Sequence, residues 1–191
     1  MNLILASASP RRQELLKLFG IPFSVRVADI DETMDPQARP FDEVARVSRL
    51  KAQAIPRETG DTVIAADTIV VCQNKVLGKP HSEEEAKAML RLLSGKDHQV
   101  MTGCTVLRDD SCVTFTEVTD LHFRALSEKE IARYVASGEP MDKAGAYGIQ
   151  GGAALFCTHM VGDYYNVMGL PLCRLFAALG TVAPALMEEF L

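Results

Sequence analysis

With 191 residues, 48% of them hydrophobic and 24% charged, the chain is long enough for one domain with its own core, or one domain in two lobes, and is too apolar to be disordered. A net charge of −5, from 25 acidic and 20 basic residues, argues against non-specific binding to nucleic acid or a membrane surface, both of which want a basic excess, but leaves room for a small anionic ligand. Five widely spaced cysteines without a C-x-x-C pair argue against a zinc site or a disulfide framework, MNLILASASP lacks the basic start of a signal peptide, and no apolar run reaches membrane length, so the expectation is a soluble protein of the cytoplasm.

Leu3 to Ala6 reads as a short buried strand. Ser9 caps a helix that opens at Pro10, carries Leu15, Leu16 and Phe19 on its apolar stripe, and stops at Gly20. A second strand is expected from Phe23 to Ala28, followed by an acidic cluster of Asp29, Asp31, Glu32 and Asp35. Phe41 to Ile55 reads as a helix with Val44, Val47, Lys51 and Ala54 on one stripe. Thr62 to Cys72 is the strongest strand, β-branched and nearly continuous, as in a sheet covered on both faces. Gly78-Lys79-Pro80 is a turn, and Ser82 to Leu93 a helix with a capping box from Ser82 to Glu85.

Val100 to Leu107 and Val113 to Phe123 predict two strands joined by a polar turn. Ser127 to Ser137 predicts a helix with a second capping box, Ser127 to Glu130, ended by Gly138. A Gly-rich loop then runs from Asp142 to Gly152, a strand or two follows through Phe156 and Met160, and a last helix carries Leu172, Leu175, Phe176 and Leu179. Early alternation of strands and helices with a hairpin in the middle implies an α/β fold with a mixed sheet.

Several residues suit chemistry on phosphates. Arg11 and Arg12 fall in the first turn of a helix, where the macrodipole already disfavours cations; a bound phosphate would offset them, and so would pairing with the acidic cluster or plain solvation. Asp67 interrupts an apolar strand, where an unpaired carboxylate costs several kcal/mol or more, so it must meet a cation, a metal or a dense set of donors. Such a group serves Mg²⁺ binding or proton transfer from a water, or simply caps a strand end. Lys51, inward on its helix, and Lys79, held between Gly and Pro, suit phosphate oxygens, though either also fits a solvated surface.

The small residues of the 142–152 loop would let a ligand approach the backbone, and Gln150 offers a donor and an acceptor to a base edge; a tight connecting loop would have the same composition. The four histidines show no metal-ligand spacing, Ser7 and Ser9 have no His partner for a triad, and no P-loop motif is present.

Leu5-Ala6-Ser7-Ala8-Ser9-Pro10-Arg11-Arg12, Ala66-Asp67-Thr68, Gly78-Lys79-Pro80 and Asp142-Lys143-Ala144-Gly145-Ala146-Tyr147-Gly148-Ile149-Gln150-Gly151, in this order and spacing, closely resemble the Maf family of nucleotide pyrophosphatases, over nearly the whole chain. The resemblance implies a single domain with an elongated mixed sheet flanked by helices in two lobes with a central cleft, like the inosine triphosphate pyrophosphatases. It implies metal-dependent cleavage, most naturally with Mg²⁺, of a nucleoside triphosphate between its α- and β-phosphates. It also implies Asp67 as proton acceptor and metal ligand, Glu32 as the acidic residue near the metal, and Ser7, Arg11, Arg12, Lys51, Lys79 and Lys143 as substrate contacts. Arg11, Thr68 and Gln150 match the family's dTTP/UTP type rather than its 7-methyl-GTP type. The resemblance further admits a homodimer, and a rival role as a nucleotide-binding regulator of septum formation. In a regular strand Asp67 and Thr68 point to opposite faces, so for both to line one site the strand should end or bulge between Ala66 and Ile69.

Overall fold

A computed structural model describes residues 2–188. β1 (Leu3–Leu5), α1 (Pro10–Lys17) and β2 (Phe23–Val25) follow one another, and β2 lies parallel to β1 with Leu3 opposite Phe23. The strand expected to reach Ala28 stops at Val25. β1 has only three residues, and its last acceptor, Leu5 O, takes the Arg26 N–H at 3.1 Å, so the ladder has no further rung. α2 (Pro40–Ala54) carries the chain to β3 (Thr62–Cys72), which lies parallel to the other edge of β1, Leu3 opposite Thr62. Parallel neighbours need such crossovers, and both are helical.

β3 runs unbroken from Thr62 to Cys72, so it does not end between Ala66 and Ile69 as expected. What changes there is burial. Asp67 and Thr68 are partly buried while Ala65, Ala66, Ile69 and Val70 are fully buried, so burial eases at that point of the strand. β4 (Lys75–Leu77) then folds back antiparallel on β3 through Gln73 and Asn74, both at positive φ (50° and 61°). The sequence conceals this hairpin, because neither turn residue is the Gly that usually marks such a turn.

α3 (Glu83–Leu93) has half of the expected capping box: Ser82 Oγ accepts from Glu85 N, but the Glu85 carboxylate accepts from His81 N at 2.7 Å, one residue further back. β5 (Asp97–Arg108) and β6 (Ser111–Phe123) are sheet neighbours joined by only Asp109 and Asp110, a connection that only antiparallel strands allow. α4 (Glu128–Ala136) does have its full box, with Ser127 and Glu130 each bonding the other's backbone N–H. β7 (Cys157–Val161), antiparallel to β6, precedes α5 (Tyr164–Val167), α6 (Leu172–Val182) and α7 (Pro184–Glu188). The strand order β2-β1-β3-β5-β6-β7, with β4 on β3, is the expected mixed sheet.

The described residues group into two units, each built from separated stretches of chain. One takes residues up to Asp67, Thr102–Glu117 and the chain from Gly169; the other takes Thr68–Met101 and Val118–Met168. In the first, Ile4, Ala52, Ile55, Val63, Ala65 and Leu107 pack together. Ala52, not Ala54, is the buried alanine of α2: the fold keeps Val44, Val47 and Ala52 inward, and Ala54 lies in the exposed last turn. α2 also meets β5 at backbone distance. A Cβ at Gly103 would collide with Val44 O, and beside it Ser48 and Thr105 share a buried hydroxyl–hydroxyl bond of 2.8 Å. In the second unit, Leu90, Leu93, Leu121, Phe123, Ile131 and Phe156 form the core. No helix among the described residues is long and apolar enough to cross a membrane.

Candidate active site

Asp67 and Lys51 meet within the first unit. Lys51 Nζ donates to Asp67 Oδ1 at 2.7 Å and forms a 2.9 Å ion pair with Glu32 Oε2. The side chains of Lys51 and Asp67 are only 14% and 13% exposed, so water screens the pair weakly; Glu32, at 57%, reaches in from solvent. The pairing follows from the helix: Lys51 lies two turns beyond Val44 on the inward stripe, and its stem packs while its ammonium reaches the strand.

The irregular stretch that carries Glu32 is tied to α2 by a second pair. Glu43 Oε2 accepts from Asp35 N at 2.7 Å, Arg46 forks onto both Glu43 oxygens at 2.8 Å, and Arg46 also donates to Thr33 O at 2.8 Å. The bond from Arg46 is the main cause that holds the Glu43 carboxyl at about 2, well below its ordinary range. Asp31 and Asp35, which the sequence groups with Glu32, instead close local turns by accepting from Thr33 N and Gln37 N.

The start of α1 forms as the sequence implies, with Ser9 Oγ accepting from Arg12 N at 3.5 Å and Pro10 in the first turn. Arg12 folds back over this turn. Its Nε donates to Gly169 O at 2.8 Å and its NH1 to Ser7 Oγ at 3.2 Å. Burial pushes the Arg12 pKa down, the Asp67 charge pulls it back up, and a guanidinium remains charged under both. Arg11, half-buried, stands beside it and contributes the opposing like charge. Ser7 is buried and serves Arg12 and the Ser9 N–H, with no histidine in the arrangement. Cys104 in the same unit is fully buried, and burial lifts its thiol to about 12.

The second unit gathers Thr68, Lys79 and the Gly-rich loop. Gly145 N donates to Gly78 O at 3.0 Å, which fastens the loop beside exposed Lys79. Val70, two residues beyond Thr68 and therefore on its face of β3, packs so closely on Gly145 that a Cβ there would come within 2.8 Å. Tyr147 is buried, its hydroxyl 2.9 Å from His98 Nε2, and Phe123 meets both rings edge-on. Burial lowers the His98 pKa to about 4 and raises that of Tyr147 well above its ordinary value.

Much of this loop is bonded to the protein itself. The Lys143 ammonium is spent largely on the loop itself, donating to Glu139 O and Asp142 Oδ1, both at 2.6 Å. The glycines at 148, 151 and 152 make room less for a ligand than for the protein's own side chains. A Cβ at Gly151 would strike the Glu139 carboxylate, one at Gly148 would come within 2.7 Å of Lys143 Cε, and one at Gly152 within 3.2 Å of the Tyr134 ring. Gln150 is exposed at the tip of the turn that Gly151 N closes onto Gly148 O at 3.0 Å. Tyr134 and Glu139, which sequence reading missed, hold this turn. The only signal for either was the position of Glu139 directly after the helix-ending Gly138.

The candidate residues therefore fall into two sets, a charged cluster in one unit (Ser7, Arg11, Arg12, Glu32, Lys51, Asp67) and a backbone-rich segment with Thr68, Lys79, Lys143 and Gln150 in the other. Among the described residues, no group of three or more His, Cys, Asp or Glu side chains is placed to hold a metal by itself. Glu32 and Asp67 still suit one oxygen-loving divalent cation, since both already converge on a single ammonium, and Mg²⁺ commonly takes one or two carboxylates plus phosphate oxygens.

The family model described as Maf-like protein matches residues 2–182. Proteins named dTTP/UTP pyrophosphatase from Bacillus cereus (strain AH820) and Bacillus thuringiensis subsp. konkukian (strain 97-27) are each 50% identical to this chain over 179 residues, covering 93% of it and 94% of their own length. A HAM1 protein from Coxiella burnetii, 17% identical, shares the fold at a TM-score of 0.51 over 82% of this chain and 91% of its own. Motifs, fold and relatives agree, and the chain belongs to the Maf family.

Proposed function

We propose that this protein is a nucleoside triphosphate pyrophosphatase that converts dTTP and UTP to the monophosphate and pyrophosphate in the cytoplasm, the whole chain acting as one catalytic domain. The observation that carries the reading is the Lys51 ammonium set 2.7 Å from Asp67 and 2.9 Å from Glu32 at the one charged residue of β3. Relatives at 50% identity that bear the name dTTP/UTP pyrophosphatase support it.

A triphosphate brings about four negative charges, and hydrolysis succeeds only where fixed positive groups meet them. Arg11, Arg12, Lys51, Lys79 and the remaining donor of Lys143 supply these charges, and the Ser7 hydroxyl adds a neutral donor. Glu32 and Asp67 would hold a divalent cation, Mg²⁺ by its preference for hard oxygen ligands, which would screen the phosphate charge and the leaving pyrophosphate. Asp67 takes a proton from the water that attacks the α-phosphorus. Lys51, 2.7 Å away, holds the Asp67 carboxylate in position for this step. Thr68 and Gln150 meet the pyrimidine, where the amide of Gln150 can donate and accept along one base edge.

The test is to incubate the purified protein and Mg²⁺ with a panel of nucleoside triphosphates and resolve the products. Monophosphate plus pyrophosphate, formed fastest from dTTP or UTP, is the expected result. Diphosphate plus orthophosphate would move the attack to the terminal phosphorus and overturn the mechanism. Absence of turnover with every nucleotide would overturn the enzyme reading itself.

A further inference from the structure

We propose that Glu139 is a positioning residue for substrate recognition: its carboxylate fastens both ends of the 148–152 turn and so holds the side chain of Gln150 in place. The inference deepens the function proposed above, because it rests on Gln150 meeting the base.

The fastening is a continuous chain of hydrogen bonds. Gly148 N donates to Tyr134 Oη at 3.0 Å, Tyr134 Oη donates to Glu139 Oε1 at 2.9 Å, and Gly152 N donates to Glu139 Oε2 at 3.0 Å. Oε2 thus takes one end of the five-residue turn directly and Oε1 takes the other through the Tyr134 hydroxyl, with Gln150 midway between the two ends. Glu139 is itself fixed from outside the turn: its N–H donates to Ser137 Oγ at 3.3 Å and its carbonyl accepts from Lys143 Nζ at 2.6 Å. The earlier part of the loop has other anchors, Gly145 on Gly78 O and Tyr147 on His98.

The shape of the turn is cut to the carboxylate, since a Cβ at Gly151 would occupy the place of Glu139 Oε1. An unfastened turn would have to be ordered each time a nucleotide bound, at a cost in backbone entropy. Glu139 moves that cost from binding to folding. Its loss therefore acts on binding and base preference, and spares the chemistry carried out by Asp67.

Steady-state kinetics with dTTP, UTP and ATP test this on the wild type, Glu139→Ala, Glu139→Gln, Gly151→Ala and the Glu139→Ala/Gly151→Ala double variant. Glu139→Ala should raise KM for dTTP about tenfold, leave kcat nearly unchanged and shrink the preference for dTTP over ATP by a similar factor. Glu139→Gln should restore most of the preference, because its amide can accept from Gly152 N and donate to Tyr134. Gly151→Ala should reproduce the defect by pushing the carboxylate aside, and should add nothing in the Glu139→Ala background.

A folded Glu139→Ala protein with unchanged preference would overturn the proposal, as would a parallel rise in KM for dTTP and ATP, which is what a purely structural role gives. If Glu139→Ala fails to fold, Gly151→Ala decides, and an unaltered preference there overturns it. A wild type that shows no preference for dTTP or UTP would instead bring down the reading of Gln150, a separate failure visible in the first measurement.

Discussion

The unit that carries Asp67 holds its central ion pair on regular elements. Lys51 comes from a 15-residue helix and Asp67 from an 11-residue strand, and they meet side chain to side chain at 2.7 Å. The unit that carries Gln150 works the other way round. There the candidate contact rides on an irregular turn, and it is backbone N–H groups at Gly148 and Gly152 that buried or half-buried side chains catch. The difference follows from what each region is proposed to do. Proton transfer and charge neutralisation need a few groups placed within fractions of an ångström, which stiff elements supply. Reading a base needs an edge of specific shape, which a fastened loop supplies with few charges.

Substitutions in the two regions should therefore fail in different currencies. The largest effect is expected at Asp67: Asp67→Asn keeps the shape but removes the charge, and should lower kcat on the order of 10²–10⁴-fold with the far-UV circular dichroism intact. A well-folded Asp67→Asn protein with normal turnover would remove the catalytic half of the comparison.

Lys51→Met comes next. It leaves two carboxylates facing each other without their shared cation, in a place only 13% exposed at Asp67. A loss of roughly 3 kcal/mol in urea unfolding is expected.

His98 gives the second unit its own signature. Its pKa is about 4 in the fold against an ordinary 6.5, so the unfolded chain binds the proton more tightly. The stability from keeping His98 neutral is fully present above pH 6.5 and is lost as the pH falls from 6.5 through 4, by about 3 kcal/mol in total. Unfolding measured across that range should show the slope in the wild type and a flatter one in His98→Gln. Equal slopes would mean that other groups carry the acid sensitivity.

Gly103→Ala should cost about 1–3 kcal/mol by overpacking against the backbone of α2, and a thermal melt reads it directly. The smallest effect is expected at Gln150. Gln150→Ala should narrow the preference for dTTP over ATP by about tenfold with kcat unchanged, the mirror image of Asp67→Asn.

What the sequence discloses tracks how local the signal is. Ser9-Pro10 and Ser127 with Glu130 announce two helix starts, because capping is settled within three or four residues. The same pattern at Ser82 is half right, since Glu85 had a second N–H within reach at His81 and took it. Asp67 is legible as an anomaly, a charge in an apolar run. That its cation is Lys51 is not, since the pairing spans sixteen residues and depends on how helix meets strand. Glu139 is invisible for a different reason: a glutamate between Gly138 and Pro140 looks like ordinary turn composition, and its value lies in backbone atoms that no side-chain pattern reveals.

The contact between Gly103 and Val44 reaches further than the residues that make it. Seven residues separate Val44 from Lys51, two helical turns and about 10 Å, which brings Lys51 back to the same side of α2. With Val44 O seated against Gly103, and Ser48 bonded to Thr105 one turn on, the helix is pinned to the sheet at two successive points before the lysine is reached. α2 thus works as a ruler with its zero mark at a glycine. A single methyl added at that mark displaces the far end of the scale, where an ammonium has to find two carboxylates.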